Sequence, residues 1–313
     1  MSPPGAPRLV CVLSETWTMT SPRDLRALVR LAQEAEAAGV DGVMLSEHIV
    51  LGAGSGADGI MGNPRDYAAP GNQDPATPWP DSIVLMSAIA SATATLRLIG
   101  AAIIAPLRHP LLLANQLATL DLLSEGRLVV QPTVSWHREE YDALGVDFAA
   151  RGRLLDEHLA AWRAAWTSSP ASFHGEHYAF DDVWLEPKPH RADGPRMWFG
   201  GMSVGPWILR RLVEHGHGFH PFGRPTAEEL GALREALAAA GRDPAALEMV
   251  GGIRGRFPDA ASVADLGEAA DQIPAQLDQG YTTICFKPSM FTDDVRDVGR
   301  ICRELVARVE RLA

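Results

Sequence analysis

The chain has 313 residues, 46% of them apolar and 21% charged, with a formal net charge of −11. That length and apolar fraction accommodate one large α/β barrel or two average domains. The acidic balance excludes the basic surfaces that nucleic acids and anionic membranes select, although a few local donors suffice to hold a small anion.

Strand and helix patterns alternate along the chain. Residues 8–13 read as a first strand. A helix over 21–38 follows, with Ser21 as cap, Pro22 at its first position and Gly39 as its stop. Residues 40–46 form the second strand, 81–93 a helix, 96–104 the third strand, 110–124 a helix and 127–131 the fourth strand. A helix over 149–167 precedes an irregular β-ribbon excursion near 171–190. The fifth strand covers 196–200, with a helix over 204–215, and the sixth covers 218–220, with a helix over 226–240. The seventh strand spans 247–253 and leads to a helix over 266–279 broken near Pro274. The eighth strand spans 282–287, and a helix over 293–312 closes the chain. Eight such units predict a single-domain α/β fold over 1–313, a (β/α)8 barrel. A doubly wound sheet is the alternative, weakened by the lack of a G-x-G-x-x-G after the first strand.

In a parallel barrel the chemistry sits at the carboxyl ends of the strands. The long stretch 51–80, rich in Gly, Pro, Asn and Asp, leaves the second strand at that end, so segment 48–80 is expected to be a lid or pocket wall. Glu47 and His48 end the second strand, and histidine titrates near neutrality, which suits proton transfer. The third strand carries a small-residue step, Gly100–Ala101–Ala102, where branched residues would be usual. Gly200, Gly201, Met202 and Ser203 join the fifth strand to a helix, an arrangement that suits a phosphate. Trp136 either walls the pocket or packs under the next helix, and His137 reads as a surface residue at a helix start. His109 is either structural or near a cofactor tail, and His220 is a weaker candidate on the same rim.

There is no H-E-x-x-H, C-x-x-C or G-x-S-x-G, so neither a metal site nor a serine nucleophile is expected. The start, MSPPGAPRLVCVL, lacks a basic segment followed by an apolar core. Cys11 and Cys285 lie in apolar strand-like runs, and with Cys302 they show no paired spacing. Both features predict a cytoplasmic protein with free thiols, and no apolar run is long enough to span a membrane.

The blocks DGVMLSEH, LIGAAIIAPLRHP, LATLDLLSEGRLVV, REEYDALGVDFAARGRLLDEHLAAW, SFHGEHYAFDDVWLEPKP and PRMWFGG, in this order and spacing, resemble the luciferase-like family of flavin- and deazaflavin-dependent oxidoreductases. The resemblance implies a TIM barrel with a tricyclic cofactor at the strands' carboxyl ends. It also implies a bulge with a non-proline cis peptide at Ala101–Ala102, with Ile103 included in the cofactor shelf. Where relatives have a glycine-rich end to the fourth strand, this chain has Gln131, Pro132, Thr133, Val134, Ser135 and Trp136. Pro132 removes an amide donor, so Thr133, Ser135 and Trp136 become the expected cofactor contacts there. Arg151, with Arg153 competing, is the expected phosphate partner unless it pairs with Asp156 or Glu157.

The resemblance favours reduced coenzyme F420, which delivers a hydride to a small organic substrate, with His48 or Glu47 handling the proton. The alternative is an FMNH2-dependent monooxygenase working through a flavin C4a-peroxide. A non-catalytic flavin-binding barrel is a further alternative, disfavoured by Glu47, His48, Trp136 and the lid. Relatives often pair through helix faces, so a homodimer is expected.

Overall fold

The computed structural model describes residues 7–312. The chain forms β1 (Arg8–Val12), α1 (Leu25–Ala37), β2 (Gly42–Leu45), α2 (Ser82–Ala92), β3 (Arg97–Ile104), α3 (Pro110–Leu123) and β4 (Leu128–Thr133). It continues through α4 (Arg138–Ala143), α5 (Arg151–Thr167), a hairpin of β5 (Ala171–His174) and β6 (Ala179–Val183), β7 (Arg196–Phe199) and α6 (Pro206–His215). The last third contains β8 (Gly218–Phe219), α7 (Ala227–Ala239), β9 (Glu248–Gly252), α8 (Leu266–Ala270), α9 (Ile273–Asp278), β10 (Thr283–Phe286) and α10 (Val298–Glu310).

The barrel closes in the order β1-β10-β9-β8-β7-β4-β3-β2 with every pair parallel, while β5 and β6 stand apart as an antiparallel ribbon. The expected (β/α)8 architecture, long β2 loop and ribbon are therefore present. Side chains alternate along each strand. Val10, Ile99, Val129, Trp198 and Val250 fill the barrel interior, whereas Leu9, Leu98, Leu128 and Met197 face the helices. The amino-terminal floor is polar: Glu248 takes both Arg97 guanidinium nitrogens at 2.7 and 2.8 Å and the Trp198 Nε1–H at 3.2 Å. Burial pushes the Glu248 carboxyl up, but Arg97 foremost, with Thr283 and Arg8, holds it down at about 2.

Several boundaries differ from the sequence reading. The α1 cap is Asp24, whose side chain accepts the Ala27 N–H, so Ser21 and Pro22 lie in the preceding turn. Gly39 ends that helix with a left-handed φ of 88°. The expected helix over 266–279 splits into α8 and α9, with Pro274 at the start of the second, where the missing N–H costs no helical bond. Helix α4 is too short to show a periodic signal, and the sequence reveals only its start.

The β2–α2 loop is not structureless. It contains a 3-10 turn over Ala53–Gly56 and is tied down at several points. Ser55 Oγ donates to the Gln73 carbonyl (3.0 Å), and Asn63 Nδ2 donates to the carbonyls of Asp259 and Ser262 (3.0 and 2.9 Å). Arg65 pairs with Asp293, and Lys287 Nζ donates to the Asp66 carbonyl at 2.9 Å. The loop thus spans the barrel mouth from β2 to the ends of β9 and β10 and forms a fixed wall.

Candidate active site

The β2 end divides its two ionisable residues by environment. Glu47 is buried, and its carboxylate accepts both Arg108 nitrogens (2.7 and 3.0 Å), the Ile104 N–H (2.7 Å) and Ser82 Oγ (2.9 Å). Both oxygens are saturated. This corrects the expectation that Glu47 handles a proton, because the side chain instead fastens β2 to β3 and to the start of α2.

His48 is placed differently. Its Nδ1 lies 3.2 Å from Glu140 Oε2, and its Nε2 has no hydrogen-bond partner among the described residues. Glu140 has no exposed surface, and it also accepts the Ile49 N–H at 2.6 Å and Ser135 Oγ at 3.3 Å. A carboxylate only accepts, so Nδ1 carries the proton and Nε2 presents a lone pair. Trp79 and Trp136 stand edge-on to the imidazole at centroid distances of 5.2 and 5.7 Å. The buried Nε1–H of Trp79 has no partner among the described residues. Trp136 is therefore part of the wall around His48.

His137 is not a surface residue. It is buried, and its Nε2 accepts the Gly52 N–H at 2.8 Å while the adjacent Glu139 takes the Gly54 N–H at 2.8 Å. Burial pushes the His137 imidazole below its usual 6.5, consistent with its accepting role. Segment 135–140 accordingly clamps the first residues of the loop. His109 caps α3, accepting the Leu111 N–H at 3.2 Å.

On β3 the Ala101–Ala102 peptide is cis, as the resemblance implied, and the pairing with β4 shifts register between Ala101 and Ile103. Ala101 faces the barrel interior and Ala102 is half-exposed at the mouth. Ile103 does not belong to this shelf: strand alternation resumes after the bulge and buries its side chain in the core beneath the helices. At the end of β4, Thr133 is half-buried, and Ser135 adopts a φ of 58°, the left-handed conformation that glycine enters most easily.

The β7–α6 turn differs from expectation. Helix α6 begins at Pro206 with Gly205 as its cap, so Ser203 lies before the cap, and the Val204 amide is taken by Glu229 at 3.1 Å. Met202 is 73% exposed. A methyl group on Gly200 would overlap the His220 carbonyl oxygen, so what this glycine admits is the chain's own backbone. Gly201 has ordinary space around it, with nothing closer than 3.4 Å to a Cβ placed there.

Arg151 stacks on Phe148 at 3.7 Å and donates to the Phe148 carbonyl at 2.7 Å, leaving its Nε without a partner among the described residues. It pairs with neither Asp156, which holds Arg210 and Arg211, nor Glu157, which caps ribbon amides. Arg211 also donates to the Gly152 carbonyl at 2.9 Å, which brings the start of α5 against α6.

Small side chains at Ala101 and Ala102 and the orphaned nitrogens of Trp79 and Arg151 fit a flat tricycle with an anionic tail. No group of three or more metal-capable side chains converges among the described residues. Sequence reasoning missed Glu140, Arg108 and Trp79. Glu140 carries no local mark that separates it from the exposed Glu139 beside it.

A closed parallel barrel with a histidine–carboxylate pair and an apolar shelf at its carboxyl mouth is the architecture of a cofactor-dependent barrel enzyme. The sequence profile of the luciferase-like monooxygenase family matches residues 8–257, and the chain belongs to that family of oxidoreductase enzymes.

Among relatives, an FMNH2-dependent dimethylsulfone monooxygenase of Pseudomonas putida is 35% identical over 126 residues, 39% of this chain and 34% of that protein. The match thus spans about a third of that relative's length. An uncharacterized Mycobacterium tuberculosis protein is 30% identical over 240 residues, 75% of this chain and 74% of its own. Two solved structures share the fold. The monooxygenase RslO1 of Streptomyces bottropensis has a TM-score of 0.74 at 20% identity, covering 96% of this chain and 98% of its own. An F420-dependent secondary alcohol dehydrogenase has a TM-score of 0.70 at 16% identity, covering 97% and 99%.

Proposed function

We propose that the protein is an oxidoreductase that uses reduced coenzyme F420 to reduce a small organic substrate. When bound, the deazaflavin supplies a hydride. The protein's part is to shelve the ring on Ala101 and Ala102, to exclude water with the 51–80 loop, and to manage one proton at His48. The observation that carries this reading is the His48–Glu140 pair: Nδ1 is tied to a buried carboxylate, and Nε2 at the strand end has no hydrogen-bond partner among the described residues. In its neutral form Nε2 accepts a proton from a substrate hydroxyl. When protonated it donates one to a substrate oxygen, with the imidazolium stabilised by Glu140. Thr133, Ser135 and Trp136 would meet the cofactor along β4, with Gly201, Met202, Ser203 and Arg151 near its tail.

Fluorescence quenching with F420 and with FMN, followed by stopped-flow reoxidation, tests this. F420 preference and a large loss of turnover in His48→Ala, with cofactor affinity kept, are expected. Clear FMN preference overturns the cofactor choice, and unchanged turnover removes His48 from the chemistry.

The second reading, an FMNH2-dependent monooxygenase, is favoured by the Pseudomonas putida relative's name. A storage barrel is disfavoured because it has no use for a buried carboxylate that orients a histidine. The whole chain is read as one domain. Buried, unpaired Cys11, Cys285 and Cys302 support a reducing, cytoplasmic setting. A homodimer is supported by α2 and α3, which pack side by side and expose Val84, Leu112 and Leu123 without any charged residue in α2. Leu112→Glu should shift the protein to monomer in light scattering.

A further inference from the structure

In the ring of eight strands β8 lies directly across from β2, and so His220, just after β8, faces the mouth opposite His48. Its Nδ1 lies 2.8 Å from Oε1 of Gln131, a buried residue near the end of β4. Strand β7 runs between the two, and Gly200 stands at its end where a side chain would block the contact. A methyl group there would overlap the His220 carbonyl and approach Gln131 Nε2 to 3.0 Å. Two strands and a glycine are thus arranged around one hydrogen bond between uncharged groups.

With the amide oxygen on Nδ1, that nitrogen carries the proton and His220 Nε2 is an acceptor without a partner among the described residues. Among the described residues no carboxylate attends this imidazole, in contrast to His48. Trp198 and Phe222 flank it edge-on at 5.9 and 5.5 Å. Burial drives its protonation down to about 4, so the ring is neutral at physiological pH.

We propose that Gln131 and His220 form a neutral polar subsite that accepts an O–H or N–H donor of a bound molecule across the mouth from His48. This rests on the reading of the mouth as the active site. A neutral acceptor in an apolar setting selects a donor and disfavours a carboxylate or phosphate at that point. The donor belongs either to the cofactor or to the substrate.

Nitrogen-15 spectra of histidine-labelled protein separate these sources, with His220→Phe and His48→Ala assigning the signals. A shift of the His220 Nε2 signal on adding F420 or FMN assigns the donor to the cofactor. A shift only when cyclohexanol is added to the cofactor-loaded protein assigns it to the substrate. In either case His220→Phe should weaken the responding ligand by roughly 3–10-fold, and Gln131→Leu should abolish the single Nδ1–H tautomer. No shift with either probe, or an unchanged tautomer in Gln131→Leu, overturns the proposal. If the His48 signals respond to cofactor while His220 stays silent, the subsite fails and the active-site reading stands. If both stay silent, the active-site reading fails too.

Discussion

Gly200→Ala distinguishes two reasons for a glycine after β7. A glycine kept for the approach of a cofactor would leave the free protein's stability untouched by the substitution. Here the added methyl meets the His220 carbonyl well inside the 3.0 Å that real Cβ contacts respect, and that atom is backbone, which cannot rotate away. Strand β8 must move by on the order of 1 Å, an overpacking that costs ~1–3 kcal/mol. The same movement disturbs the His220 N–H bond to the Phe199 carbonyl (2.9 Å) and the Gln131–His220 bond (2.8 Å). At ~0.5–1.5 kcal/mol each, these bring the expected loss to ~2–6 kcal/mol, or a fall in Tm of about 3–9 °C for a chain of this size. Differential scanning calorimetry of the free protein measures it. Gly201→Ala is the control, because its Cβ would make only ordinary contacts from 3.4 Å outward. It should stay within ~0.5 kcal/mol of wild type. Equal stability of Gly200→Ala and wild type would refute the packing argument and return Gly200 to the cofactor.

Glu140→Gln places an amide N–H opposite His48 Nδ1, so His48 should switch to its Nε2–H tautomer and the proton-transfer step should slow by ~10²–10⁴. Nitrogen-15 spectra and single-turnover kinetics check both, and an unchanged tautomer contradicts the assigned role. Arg108→Met strands the buried Glu47 carboxylate and should destabilise by ~3–5 kcal/mol in denaturant titration, with part recovered in the Arg108→Met/Glu47→Gln pair. Acid should act in two stages. His220 titrates near 4 when folded and near 6.5 when unfolded, so its contribution is complete above 6.5 and is lost as pH falls towards 4, by at most ~3 kcal/mol. Glu248, held near 2 by Arg97 against a usual 4.5, adds its loss below 4.5. Burial also pushes His137, His158, His215 and His217 below 6.5, so in thermal melts taken across this range His220→Phe should reduce the first stage and leave the second.

Local sequence determined the barrel. Apolar strand runs, capped helices, the stop at Gly39 and the break before Pro274 are set by neighbours a few residues away, as is the small-residue step at Ala101–Ala102. His48 was legible because it ends a strand. Its partner was not: Glu140 lies 92 residues further on, and burial alone separates it from Glu139. The same holds for Glu47, whose role reverses once Arg108 reaches it, and for Gly200, whose missing side chain is filled by His220. Sequence fixes backbone periodicity through short-range sterics and burial. Which polar side chains share a low-dielectric space, and therefore which hold or move protons, depends on the distant strands that closure of the barrel brings side by side.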